Sequence, residues 1–170
     1  MKKIIMLLLF VPFIGLSQVC DSIKITKTDF TPVVVELKGK SSSEIYSKIK
    51  SWINRTYKNP DLVTKADEKD TYIRIHSIDA FEFRQMGLAR NNYSYDLEFQ
   101  IKENKYKIIF FNIIDTSIIN ASFPKYFYKD NGDLYGFKKV NLSMQKGIIN
   151  SLNNIHFSVF NYINNSNDTW

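Results

Sequence analysis

The sequence predicts an α+β domain: an antiparallel sheet with a helix after the first strand and a long C-terminal helix, both packed on one face, in the order β-α-β-β-β-β-α. Three observations predict it. Val33, Val35 and Leu37 alternate with Val34, Glu36 and Lys38, the period of two of a half-buried strand, and a helix-start signal follows at once. Tyr93, Tyr95, Leu97, Phe99 and Ile101 alternate strictly with Ser94, Asp96, Glu98 and Gln100, and a turn then leads into a second apolar run. Near the C-terminus, Ile149, Leu152, His156, Val159 and Ile163 fall on one helical face, joined by Ile148, Ile155 and Phe160.

The elements follow in order. Gly39 ends the first strand, and Ser41 and Glu44 have the spacing of a capping box, in which the serine oxygen accepts from the N3 amide while the glutamate reaches back. Ile45, Ile49, Trp52 and Ile53 make the stripe of the first helix, and Asn59-Pro60-Asp61 stops it. Leu62 to Ala66 reads as a weak strand, and 67–70 as a charged turn. Tyr72 to Ile78 reads as a strand that Phe81 and Phe83 extend or restart, and Gly87 to Asn92 as a loop. Glu103-Asn104-Lys105 turns the clearest strand into a hairpin with Tyr106 to Ile114. Ile108 to Phe111 is apolar on both faces, as in a strand that is central or covered on both sides. From Ile118 to Val140 runs a long aromatic connection with a turn at Asp130-Asn131-Gly132-Asp133, and the last helix is expected from about Ser143 to Ile163. On this reading Val33, Val35, Ile73, Ile75, Leu97, Phe99 and Ile101 face Ile49, Trp52, Ile53, Ile149, Leu152 and Val159.

Residues 1–17 read as a secretory signal peptide. Met1-Lys2-Lys3 is a positive start, 4–14 is apolar but too short to span a membrane, and Gly15-Leu16-Ser17 offers a small-residue cleavage site. The expected organisation is 1–17 signal peptide, 18–29 flexible lead-in, 30–163 a single α+β domain, and 164–170 a frayed tail. Export to the periplasm or medium follows. Lipidation at Cys20 is the minor alternative, because Gln18 and Val19 do not form the small-residue box an acylated cysteine needs. Only in that case is a membrane partner implied. Cys20 is the single cysteine, so no intramolecular disulfide staples the fold. Removing Lys2 and Lys3 takes the formal charge from +6 to +4, spread along the chain, which does not make a nucleic-acid surface.

The stretch Pro32-Val33-Val34-Val35-Glu36-Leu37-Lys38-Gly39-Lys40-Ser41-Ser42-Ser43-Glu44-Ile45-Tyr46, with Trp52 further on, resembles an exported bacterial family known as domain-of-unknown-function 4468, with a TATA-binding-protein-like fold. The strand-rich part to about Ile114 is similar in layout. The resemblance implies a fold. It implies no activity, cofactor or catalytic residue, and a fold does not fix a function.

Two groups of residues are candidate sites. Arg74, His76, Glu82, Arg84, Asp96 and Glu98 are expected to share the open sheet face, either as a histidine base with a carboxylate orienter or as a cross-strand charge ladder. Phe123, Tyr126, Phe127, Tyr128, Tyr135 and Phe137 are either an anchor patch for an envelope protein or glycan, or packing. His156, on the apolar stripe, reads as a buried, hydrogen-bonded residue. Cys20 reads as a free cysteine near a loose N-terminus, a nucleophile only if ordered beside a histidine. No catalytic, metal or cofactor motif is expected: phosphate loop, nucleophile elbow and His-Glu-x-x-His are all missing. The expected function is a non-catalytic binding or accessory module of the envelope. The alternatives are a carrier with an apolar cavity between sheet and C-terminal helix, and a hydrolase using His76.

Overall fold

The computed structural model describes residues 20–116, 122–129 and 136–165, except the Tyr126 side chain. The expected signal peptide, the turn at 130–133, Tyr135 and the tail beyond Asn165 lie outside the described residues. The sheet has five antiparallel strands in the order β1-β5-β4-β3-β2. Along the chain these are β1 (Val33–Glu36), β2 (Thr64–Glu68), β3 (Tyr72–Arg84), β4 (Leu88–Lys102) and β5 (Lys105–Asp115). Two helices, α1 (Ser42–Thr56) and α3 (Lys138–Asn165), pack together on one face, and a single turn α2 (Pro60–Val63) precedes β2. The predicted α+β architecture and its strand order along the chain are those observed.

The sequence signals act as read. Ser41 caps α1 in a full capping box: its amide donates to Glu44 Oε2 at 2.8 Å, and the Glu44 amide donates to Ser41 Oγ at 3.2 Å. The Ser41 amide, with the Ser41 hydroxyl second, also holds the Glu44 carboxyl below its ordinary pKa. Ile45, Ile49, Trp52 and Ile53 are the buried face of α1. They meet Ile73, Ile75, Leu97, Phe99 and Ile101 of the sheet, all buried, with the Trp52 and Phe99 rings edge to face at 6.2 Å. Asn104 takes the left-handed φ of 62° that the tight β4–β5 turn requires, and its Oδ1 accepts from the Gly39 amide at 2.8 Å, fastening that turn to the end of β1.

Four expectations change. α1 does end before Asn59-Pro60-Asp61, but Pro60 also opens α2, because a proline suits the first helical position, where its missing N–H costs nothing; β2 then runs Thr64–Glu68 instead of Leu62 to Ala66 and takes in Asp67 and Glu68 of the expected turn. Residues 88–92 are strand, not loop: β3 and β4 pair without interruption from Tyr72↔Gln100 to Arg84↔Leu88, and cross-strand pairing holds a stretch with no apolar alternation of its own. The last helix starts at Lys138, with buried Asn141 donating to the Phe127 carbonyl at 3.0 Å. The lead-in is not loose over its described part. The Ile23 side chain is buried, its amide donates to Asn153 Oδ1 at 2.8 Å, and its carbonyl accepts from Asn153 Nδ2 at 3.1 Å. A bridge between Ile25 and Phe30 then leads into β1.

β2 pairs with β3 only as far as Ile75, which leaves the outer edge of β3 open toward its C-terminal end. α3 covers that edge. Ser143 Oγ accepts from the Arg84 amide at 2.7 Å, and Ser151 Oγ donates to the Ala80 carbonyl at 3.3 Å. Between them Gly147 lies against the Glu82 carbonyl so closely that a Cβ there would overlap it. An exposed strand edge invites pairing with other chains, and here the helix blocks it.

Candidate functional site

The open sheet face carries the first predicted site. The register sets His76 opposite Asp96 and Arg74 opposite Glu98. His76 Nδ1 donates to Asp96 Oδ1 at 2.9 Å, and Asn112 Nδ2 donates to Asp96 Oδ2 at 2.7 Å. Glu98 accepts from the Tyr72 hydroxyl at 2.8 Å and from Gln100 Nε2 at 2.6 Å. Both carboxylates are thus occupied, Asp96 by cross-strand partners and Glu98 by Tyr72 across the strand and Gln100 on its own strand. The His76–Asp96 pair has the orientation of a base and its orienter, but no serine, threonine or cysteine among the described residues hydrogen-bonds to His76. Glu82 and Arg84 stand apart from this group, at the other end of β3, where their register partners are Arg90 and Leu88. The six residues therefore form two separate groups.

Cys20 corrects a second expectation. It is not loose: its Sγ lies 3.0 Å from His156 Nε2. A cysteine beside a histidine suggests a nucleophile and its base, and the hydrogen-bond pattern argues otherwise. His156 Nε2 also lies 3.0 Å from the Asp21 carbonyl oxygen, which can only accept. Nε2 therefore carries the proton and cannot take one from the thiol. Burial, with Asp21 second, pushes the Cys20 thiol up to about 11, and burial pushes His156 down. Both groups stay neutral, and a neutral thiol is a poor nucleophile. His156 itself is fully buried on the stripe, as its position in the sequence implied. No group of three or more His, Cys, Asp or Glu able to hold a metal occurs among the described residues.

The aromatic segment divides. Phe123 and Phe127 are buried and stack at 4.8 Å, and Phe123 meets Phe81 edge to face at 5.8 Å. Tyr128 packs half-buried on the core. The chemistry that makes rings good anchors also makes them good filler, and these three are filler. Phe137, just before α3, is 85% exposed. The Tyr126 side chain and Tyr135 lie outside the described residues. Phe81, Tyr93, Tyr95, Phe99 and Phe127 are all buried in the core cluster that the carrier reading needs to enclose a cavity.

A groove beside α3 was not foreseen. An open groove of about 910 Å³ runs between α3 and the far end of β3 and β4. Arg84, Arg90, Lys139 and Lys146 line it, with Leu88 and Leu142 between them. Glu82 is its one acidic lining residue. The Ser143–Arg84 bond and the Gly147 contact bring these walls together. A smaller groove of about 390 Å³ continues past Asn154 toward Trp52, Tyr57 and Tyr95. There the Tyr57 and Tyr95 hydroxyls pair at 2.9 Å, and burial pushes Tyr95 up to about 12, so it stays a neutral phenol. The large groove left little sequence signal, because Arg84 and Ser143 are 59 residues apart in the chain.

Comparison with known proteins bears on the fold. Residues 32–114 match the model of a family described as a domain of unknown function (DUF4468) with TBP-like fold. A crystal structure of a DUF4468 family protein from Bacteroides ovatus is similar over 87% of this chain and 93% of its own, with TM-score 0.63 and 12% identity. A TBP-like protein from Parabacteroides distasonis is similar over 79% of this chain and 92% of its own, with TM-score 0.60 and 17% identity. No curated protein matches the sequence.

Proposed function

With residues 32–114 similar to the DUF4468 family, which brings a TBP-like fold and no described activity, we propose that this chain is an exported, non-catalytic binding module of the cell envelope. Its working surface is the groove between α3 and the β3–β4 end. The observation that carries this reading is the meeting of four cations and two exposed leucines in one open groove. The two histidines support the non-catalytic part. His76 is held in a cross-strand ladder and meets no nucleophile, and His156 carries its proton on the nitrogen facing Cys20. Export rests on the charged, apolar and small-residue pattern of residues 1–17. Cys20 is engaged by His156 within the fold, which favours cleavage after Ser17 over acylation of Cys20.

The test is capture from envelope extract on the immobilised protein, with an Arg84→Glu/Lys146→Glu variant and a His76→Ala variant as controls. The expected result is an envelope component retained by wild type and by His76→Ala and lost by the groove variant. Recovery that tracks His76 instead, or that ignores both changes, contradicts the assignment. Intact mass of the exported chain gives a species starting at Gln18. A mass for an acylated chain starting at Cys20 contradicts that part.

A further inference from the structure

Within that reading, the chemistry of the groove end points to its occupant. The β3–β4 turn and the start of α3 lie together, joined by the Arg84 amide and Ser143. This end holds four of the seven exposed large apolar side chains among the described residues: Met86 at 101%, Phe137 at 85%, Leu88 at 73% and Leu142 at 47%. Two are at the hairpin turn or beside it, and two are just before α3 or in its first turns. Around them stand Arg84, Arg90, Lys138, Lys139 and Lys146, all exposed, against Glu82 as the acidic residue of the groove wall. Exposed apolar side chains collected at one end are uncommon on a protein that touches only water. Side chains that can enter the acyl boundary, ringed by cations, complement a bilayer carrying negative headgroups.

We propose that this end of the molecule docks on an anionic phospholipid surface. The apolar tips Met86, Leu88, Phe137 and Leu142 enter the interface, and the arginines and lysines contact the headgroup phosphates. Neither signal is sufficient alone, since a few cations are screened by salt and a few apolar tips bury little area. This attachment is reversible and independent of any lipid on Cys20, and no helix among the described residues is long and apolar enough to cross a membrane. The inference rests on the groove being the working surface, but it can fail separately.

The experiment is co-sedimentation of the chain recovered from the envelope fraction with two kinds of vesicle, pure phosphatidylcholine and phosphatidylcholine mixed with phosphatidylglycerol. Circular dichroism first confirms that each variant is folded. Wild type is expected to bind the mixed vesicles only, and less as salt rises. Arg84→Glu/Lys146→Glu is expected to bind about tenfold more weakly or not at all. Leu88→Ser/Leu142→Ser is expected to weaken binding while keeping its salt dependence. Absence of binding to mixed vesicles, equal binding to both kinds, or a charge variant that binds like wild type overturns the proposal. If vesicles are ignored while envelope capture still depends on Arg84 and Lys146, the occupant is an acidic protein, and this inference alone falls. If capture is also indifferent to them, the functional reading falls with it.

Discussion

Gly147→Ala tests how α3 is seated. In an exposed helix this change stabilises, because alanine exceeds glycine in helix propensity by about 1 kcal/mol. Here the new Cβ would overlap the Glu82 carbonyl oxygen and sit 3.0 Å from Phe81 Cδ2 and 3.2 Å from the Glu82 carbonyl carbon. Two of these atoms are backbone in a paired strand and cannot swing aside. Relief requires α3 to lift from β3, which stretches the 2.7 Å Ser143–Arg84 bond and loosens Ile148 and Leu152 in the core. Overpacking of this kind costs about 2 kcal/mol, and the lost hydrogen bond adds about 1 kcal/mol. After the propensity gain, the net is a destabilisation of about 2 kcal/mol. For a domain of this size that lowers Tm by roughly 4–8 °C. Urea denaturation followed by circular dichroism reads it as a lower midpoint at unchanged slope. A variant as stable as wild type, or more stable, would show that α3 does not press on the β3 edge.

Asn153→Ala should cost about 2–4 kcal/mol, since both backbone groups of buried Ile23 lose their partner; a loss below about 0.5 kcal/mol would mean the N-terminal strap is not bolted to α3. Cys20 should alkylate about a hundredfold more slowly at pH 8 in the folded chain than in urea, because its pKa rises from 9.0 to about 11; equal rates would refute its burial against His156. The linked stability is full below pH 9 and falls as pH rises toward 11, where the unfolded chain ionises first. For His156 the sign reverses. Burial lowers its pKa below 6.5, so the unfolded chain gains a proton first and stability falls as pH drops below about 6.5. His156→Gln should flatten that slope in urea titrations at several pH values, and an unchanged slope would place the titration elsewhere.

The parts of the fold legible in the sequence are those governed by neighbours along the chain. The Ser41–Glu44 box, the α1 stripe and the alternation of Tyr93 to Ile101 each needed only local spacing, and each stands in the structure. What failed was decided by distant partners. Residues 88–92 show no alternation and become strand only because β3 lies beside them. Ile23 looks solvated until Asn153, 130 residues away in the chain, takes up its backbone. The same holds for sites. That His76 and Asp96 share a face followed from alternation, whereas the burial of Phe123 and Phe127 depends on a stack that leads to Phe81. The groove joins residues from β3, β4 and α3, none of which is unusual alone.

The location of the working surface is tested most directly by a fluorescent reporter at each rival position. Leu88→Trp places an indole at the groove end, and Ile78→Trp places one at a similarly exposed position away from it. Mixed with phosphatidylglycerol-containing vesicles, the difference spectrum of Leu88→Trp against wild type should shift to the blue as the ring leaves water, and that of Ile78→Trp should stay unchanged. A shift at position 78 with none at 88, or no shift at either, would contradict the assignment of the groove end as the part of the molecule that docks on an anionic membrane.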